Sequence, residues 1–384
     1  MRAFRGPARR RDRHPGGGHN AAGLGVWDGA LVIDLSLLRS TTADPENHNV
    51  RDDAGCTWGD VDHATVAFGM ATPSGFLAST GVAGLTLGGG TGYLTRRFGL
   101  TVDNLIAADV VLADGSFVKA TEQAHGDLLW ALRGGGGNFG VVTSFTFRCH
   151  DLGENGTVIG GPVLYDLADA PEVMRWYREL LPSLPEELSG WIGVLTIPPA
   201  PPFKPVKTFG SPLVVGLRPM PFNVLQSAFD ALYPAGLQWY WKADFFKRDL
   251  RRGDRRAHQV RRPTADRPLD YAHVPDRRRR QPVLAGSTAF AYRDGGWAGV
   301  IVGVDPDPAN AGVISQWARD YWQELHPTSA GGAHVNFMME EGQDRVRASY
   351  RGNYDGLVQV KERCDPENFF HVNQNIPPAS GDSA

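Results

Sequence analysis

Gly16-Gly17-Gly18-His19-Asn20, continuing to Gly23 and Gly25, places a titratable imidazole directly after a run of residues that have no Cβ. Glycines reach positive φ and let the main chain come close to a ligand. Successive N–H groups in such a turn converge on an anion, as in phosphate-binding nests. A histidine at the rim adds a nucleophilic ring that titrates near neutral pH. In isolation the segment reads more readily as plain loop geometry than as a ligand site. Two further clusters shift that balance: Pro73-Ser74-Gly75 followed by Gly81 to Gly92, and Leu132 to Val142 with four consecutive glycines. So many points of close main-chain approach exceed the needs of one small substrate. A long, phosphate-bearing ligand laid along a cleft fits better.

The segments GGGHNAAGLG, GCTWGDVD, ATPSGFLASTGVAGLTLGGGTGYLTRRFGLTVDNL, LLWALRGGGGNFGVVTSF and DPENFFHVNQNIPP together resemble the berberine bridge enzyme-like flavoprotein oxidoreductases. In that family the FAD-binding domain is of the vanillyl-alcohol-oxidase (PCMH) type, and the likeness runs through nearly the whole chain in the family's order. It implies an α+β, two-lobed flavoprotein: an FAD-binding domain over 1–150, short at its N-terminus, and a substrate domain of antiparallel sheet covered by helices over 151–345. A C-terminal segment, 346–384, would return to the first domain. The implied activity is an FAD-dependent oxidoreductase or oxidase. It would oxidise an alcohol, sugar or secondary-metabolite substrate by hydride transfer to flavin N5.

The resemblance also assigns residues. His19 occupies the position of covalent FAD attachment through the 8α-methyl group, which makes the flavin a stronger oxidant. Leu77 stands where many members carry a second, cysteine link, so a single attachment is expected, and Cys56 is read as a small buried residue. Thr80 lies at a site that governs oxygen access, and its small side chain makes O2 an expected electron acceptor. The expected cofactor contacts are Gly16, Gly17, Gly18, His19, Asn20, Gly23, Pro73, Gly75, Gly81, Gly84, Gly88, Gly89, Asn104, Gly140, Val142 and Asn375. Tyr350 is the first candidate for the base on the substrate hydroxyl and Tyr354 the second. A free tyrosine has a pKa of about 10, so Arg347 or Arg351 is expected to lower it. Ordinary aromatic packing is the competing role for Tyr350. Departures from the family pattern include His334 in place of a substrate-positioning tyrosine, Ala21, Gly356, Cys364, and His14-Pro15 in place of an arginine. Fifteen residues precede the GGGH loop where the family has several dozen, which puts cofactor retention at issue.

The elements that must position these groups follow from periodicity. Strands are expected within 31–57, including the apolar run Leu31 to Leu35 read as a buried strand. A helix is expected from Trp58 to Phe68, and a hairpin from Ile106 to Val118 turning at Asp114-Gly115. A helical turn from Asp127 and a strand from Val141 to Phe147 complete this half. Beyond Cys149, helices are expected at Glu172 to Leu181, Phe222 to Leu232, Asn310 to Leu325 and Asn353 to Arg363. Strands are expected at Leu213 to Leu217 and Gly299 to Val304. Three cysteines are too few for a disulfide framework or a zinc site. No metal is expected. No transmembrane run and no signal peptide are read, so the expected compartment is the cytosol.

Formal net charge is −3, unevenly spread. Residues 1–13 hold six Arg and one Asp, and residues 248–280 hold twelve Arg and five Asp. The second block reads as neither helix nor strand. Three accounts stay open: translation of a displaced reading frame, placed first, a solvated loop, and a nucleic-acid arm. The last is disfavoured because aromatic stacking platforms are lacking and the remainder of the chain is acidic. A truncated remnant of such an enzyme, without bound flavin, is the alternative to an active oxidoreductase.

Overall fold

The computed structural model describes residues 17–26, 28–194, 210–232, 234, 236–246, 269–275, 283–294 and 297–379, with only the main chain described over 269–275. Two antiparallel sheets organise the chain. The first has the order Thr41–Asp44, Asn49–Asp53, Val141–Arg148, Leu105–Val111, Phe117–Thr121. Its outer hairpin turns at Asp114-Gly115, where the Asp114 carboxylate accepts the Ser116 N–H at 2.8 Å and Gly115 takes a φ of 85°. Alternation buries Val50, Val110, Phe145 and Phe147 against Trp58 and Val61 of the helix Trp58–Val66.

The second sheet has the order Ile192–Val194, Leu269–Pro275, Trp297–Asp305, Gln238–Phe246. The helix Ala311–Leu325 covers one face of it, with Trp317, Ala318 and Tyr321 packed on Phe246, Trp297 and Ile301. Gly303 makes that contact close, because a Cβ there would sit 2.8 Å from the Ile314 carbonyl. The register sets Phe245 opposite Ala298, and both join Phe290 and Tyr292 in a separate apolar cluster. That cluster also takes Leu100 and Val102 from the first half. A buried ion pair fastens the same junction. Arg293 reaches the Asp103 carboxylate through both terminal nitrogens, at 2.9 and 2.8 Å.

The C-terminal helix Tyr354–Cys364 places Leu357 and Val360 in the core of the first sheet, and Ile376 follows them there. Lys361, fully buried, donates to the Asn138 carbonyl at 2.9 Å, to Phe370 O at 2.8 Å and to Asp365 at 2.5 Å. Asp365 in turn accepts the N–H groups of Phe369 and Phe370. The Asp-Pro-Glu-Asn-Phe-Phe segment is therefore a mooring for the chain end.

Three expectations are corrected. Leu31 to Leu35 is irregular; residues 31–34 face outward, with Leu31 73% and Ile33 47% exposed, and Leu35 alone packs against the core. Leu38 instead closes a turn onto Leu35, and Gly55 caps it from below by donating to Leu38 O. An apolar run becomes a strand only where a neighbour offers a ladder, and no described strand lies beside this one. The block 248–280 contains a strand, Leu269–Pro275, that bridges Ile192–Val194 and Trp297–Asp305. The rest of that block lies outside the described residues. The helix expected from Phe222 to Leu232 ends at Ser227, whose hydroxyl bonds back to the carbonyls of Asn223 and Val224. A short 3-10 turn, Asp230–Leu232, follows.

One feature of the first sheet had no sequence forewarning. Asp52 occupies an inward position of the strand Asn49–Asp53, and Asp62 is buried on the adjoining helix with no partner for either oxygen among the described residues. Burial pushes Asp52 up to about 7, against a smaller opposing pull from the Thr41 hydroxyl. Burial, then the Asp52 charge, raises Asp62 well above the usual carboxylate range.

Candidate cofactor and active site

The three glycine clusters meet. Gly17 has a φ of 88° and lies so close to the second cluster that a Cβ would stand 2.8 Å from Ser79 O and 2.9 Å from the Gly81 Cα. Only glycine satisfies both demands there. His19 follows, with Nε2 3.1 Å from Ser79 Oγ. Burial lowers its pKa, against the opposing charge of Asp230. Asn20 and Gly23 shape the turn beyond it: the Asn20 side chain accepts the Leu24 N–H at 3.0 Å, and Gly23 takes a φ of 71°. Gly16 lies outside the described residues.

The second cluster opens with Gly81 at the start of the six-residue helix Val82–Leu87. Asn336, from the C-terminal half, straps this cluster: its Nδ2 donates to Gly84 O at 2.9 Å and its Oδ1 accepts Gly90 N–H at 3.2 Å. A Cβ on Gly88 would collide with that same amide. Pro73 and Gly75 are buried, and a Cβ on Gly92 would strike the carbonyls of Ser74 and Gly75. The third cluster joins the second through Gly136 N–H to Leu87 O, 2.9 Å. It joins the tail through Asn138, which donates to Gln374 O at 3.3 Å and accepts Ile376 N–H at 3.1 Å.

Three expected contacts are engaged in the protein's own framework. Asn104 spends its amide on Phe98 O, Leu100 O and the His150 ring. Gly140, at a φ of 155°, lies against Val110 and Val111, and Val142 pairs with Val110 in the sheet. Tyr350 is fully buried, and its hydroxyl is 3.8 Å from where a Cβ on Gly136 would be. The expected cation is not at its side. The Arg347 guanidinium stacks over the Tyr354 ring, while Arg351 stacks over Tyr292 and pairs with Asp294. Burial, and then the Tyr354 phenol, push the Tyr350 pKa up rather than down. Tyr354 is buried in the same core.

His334 is enclosed by the rings of Phe245, Phe290 and Phe337 and faces Gly89. Its Nδ1 accepts the Asn336 N–H at 3.3 Å, so Nε2 carries the ring proton. Burial holds its pKa down at about 3, and the imidazole is neutral.

These residues fit a dinucleotide. Tyr350 Oη, His334 Nε2 and Asn375 Oδ1 are buried with no hydrogen-bond partner among the described residues. Each such group costs about 1–3 kcal/mol when unsatisfied, a cost that a polar occupant removes. The family motif Tyr-x-Asn places Asn336 two residues after His334, but its partners, 252 and 246 positions away, are not legible in it. Gln226 and Asp230 were missed for the same reason, their partners lying 151 or 152 positions away. Replacing Asn336 with Ala is expected to cost about 1 kcal/mol and to weaken FAD binding, read as a lower thermal midpoint and a weaker flavin titration.

Such an arrangement, glycine-lined main chain closed by a returning tail, defines a flavin-dinucleotide-binding scaffold. The FAD binding domain family profile matches residues 12–121, and the berberine and berberine-like profile matches residues 333–377. An FAD-linked oxidoreductase of Dictyostelium discoideum is 32% identical over 374 residues, covering 91% of this chain and 80% of that protein. This chain belongs to the berberine bridge enzyme-like family of FAD-linked oxidoreductases. Among solved structures, a xylooligosaccharide oxidase from Myceliophthora thermophila in complex with xylobiose superposes with a TM-score of 0.76 at 22% identity, covering 94% of this chain and 85% of that one. A glucooligosaccharide oxidase of Acremonium strictum, described with a 6-S-cysteinyl, 8α-N1-histidyl FAD, has a TM-score of 0.77 at 20% identity, covering 94% and 86%. Both share the two-lobed α+β fold. No helix among the described residues is long and apolar enough to cross a membrane.

Proposed function

We propose that this oxidoreductase is an oxidase that carries FAD on His19 by a single covalent link and acts on an alcohol, sugar or secondary-metabolite hydroxyl. The observation that carries the reading is the seating of Gly17 on Gly81, which delivers the His19 ring to the Pro-Ser-Gly loop. Leu77 on that loop has no atom able to make a second link. When bound, FAD supplies the two-electron acceptor for hydride from the substrate carbon. The protein's part is positional. Gly81, Gly84, Gly88 and Gly89 present main chain to the dinucleotide, and Asn375 Oδ1 offers it an acceptor. Tyr350, a neutral phenol, hydrogen-bonds the substrate hydroxyl and orients it. Thr80 leaves room for O2 as the final acceptor. The division of the chain at residues 150 and 345 belongs to the same reading.

The test is the colour of purified protein. A yellow chromophore stays with the chain after acid precipitation, and His19→Ala releases it to the supernatant. Folded protein that remains colourless with excess FAD overturns the reading.

A further inference from the structure

His19 is one end of a hydrogen-bonded chain. Its Nε2 lies 3.1 Å from Ser79 Oγ, and the Ser79 hydroxyl donates to Asp230 Oδ1 at 3.4 Å. Asp230 comes from the substrate half, 151 positions beyond Ser79. The segment bearing it is firmly moored to the same loop. Gln226, fully buried, donates through Nε2 to Ser74 Oγ at 3.0 Å and to Gly75 O at 2.7 Å, and its carbonyl accepts the Ala78 N–H at 3.1 Å.

The direction of these bonds fixes the tautomer. An ionised carboxylate only accepts, so the one Ser79 proton points to Asp230 and the Ser79 oxygen accepts from His19 Nε2–H. The lone pair is then on Nδ1. We propose that Ser79 and Asp230 form a relay that presents His19 Nδ1 as the nucleophile for flavin attachment and draws off the Nε2 proton as the bond forms. The proposal rests on the reading of His19 as the tethering residue.

The step balances. A C–N bond forms between Nδ1 and the 8α carbon, and one C–H bond of the methyl group and the Nε2–H bond are lost. The two hydrogens and the electron pair reduce one O2 to hydrogen peroxide, and the flavin ends oxidised. Ser79 and Asp230 act through His19 and are positioning residues. Burial helps by keeping the ring in its neutral, nucleophilic form.

Full-length protein prepared under flavin limitation is mixed with excess FAD. Fluorescence of the denatured chain then reports attached flavin over time, and absorbance before denaturation reports total bound flavin. Asp230→Asn and Ser79→Ala are expected to slow attachment about a hundredfold, the scale of a lost general base, with total binding unchanged. Asp230→Glu and Ser79→Thr, which keep the carboxylate and the hydroxyl, restore it. Attachment at the wild-type rate in Asp230→Asn overturns the relay alone. So does parallel loss of attached and total flavin, which marks a structural role. A wild-type chain that binds FAD but surrenders all of it to acid overturns the relay and the tether together.

Discussion

Asp52→Val stabilises this protein by about 4 kcal/mol at pH 8 and by far less at pH 5. An aspartate in the unfolded chain titrates near 3.9, whereas buried Asp52 titrates at about 7. Between those values the folded state holds a proton that the unfolded state has released, so stability falls as pH rises, by about 1.4 kcal/mol per unit. Three units give the quoted figure, and above pH 7 the deficit is complete. Valine removes the ionisable group from a fully buried strand position. Urea melts of both proteins across pH 5–8 check this. The wild-type midpoint falls more steeply over that range than the variant's, in which buried Asp62 still titrates above the usual carboxylate range. Asp62 adds a residual slope, reduced in the variant because the Asp52 charge is one cause of its raised pKa. Parallel pH profiles for the two proteins would show that Asp52 is solvated and ionised throughout.

Tyr350→Phe lowers kcat by about 10- to 100-fold, the scale of a lost hydrogen bond worth roughly 1–3 kcal/mol to the substrate hydroxyl, and leaves flavin content unchanged. The substitution keeps the ring that packs beside Leu357 and Val346 in the core and removes only the oxygen. That oxygen has no partner among the described residues, so its loss breaks no bond seen there and leaves the fold at least as stable. Anaerobic flavin bleaching with a panel of alcohols and sugars separates the roles. Unchanged bleaching in the variant assigns Tyr350 to packing, whereas a slow reaction with normal flavin content assigns its hydroxyl to the substrate.

How much of this was legible in the sequence depended on range. The hairpin at Asp114-Gly115 and the helix Ala311–Leu325 are local statements, one of turn chemistry and one of period, and both stand where expected. The glycine clusters announced close approach, and Gly17 on Gly81 supplies it. Leu31 to Leu35 misled because hydrophobicity records an appetite for burial and says nothing of whether a partner arrives. The strand Leu269–Pro275 was hidden by the arginines around it, since charge averaged over the block drowned a seven-residue segment. The Tyr350 environment failed for a related reason. Arg347 and Arg351 are its neighbours in sequence, but helix geometry and the irregular φ of Arg351 send both guanidiniums to other rings. Asn336, Gln226 and Asp230 are single polar residues whose meaning lies in pairings across the chain, which no local pattern encodes.

The anchorage of Gln226 on the Ser74–Gly75 turn bears on how this scaffold tolerates recombination. Exchanging the second lobe for that of a relative would also exchange Gln226, which grips the Ser74–Gly75 turn of the first. A graft that retains 222–230 from the parent keeps that grip, whereas one cut upstream of it imports a foreign clasp. New specificity and intact cofactor loading are therefore separable only when the crossover falls after that short helix and its following turn.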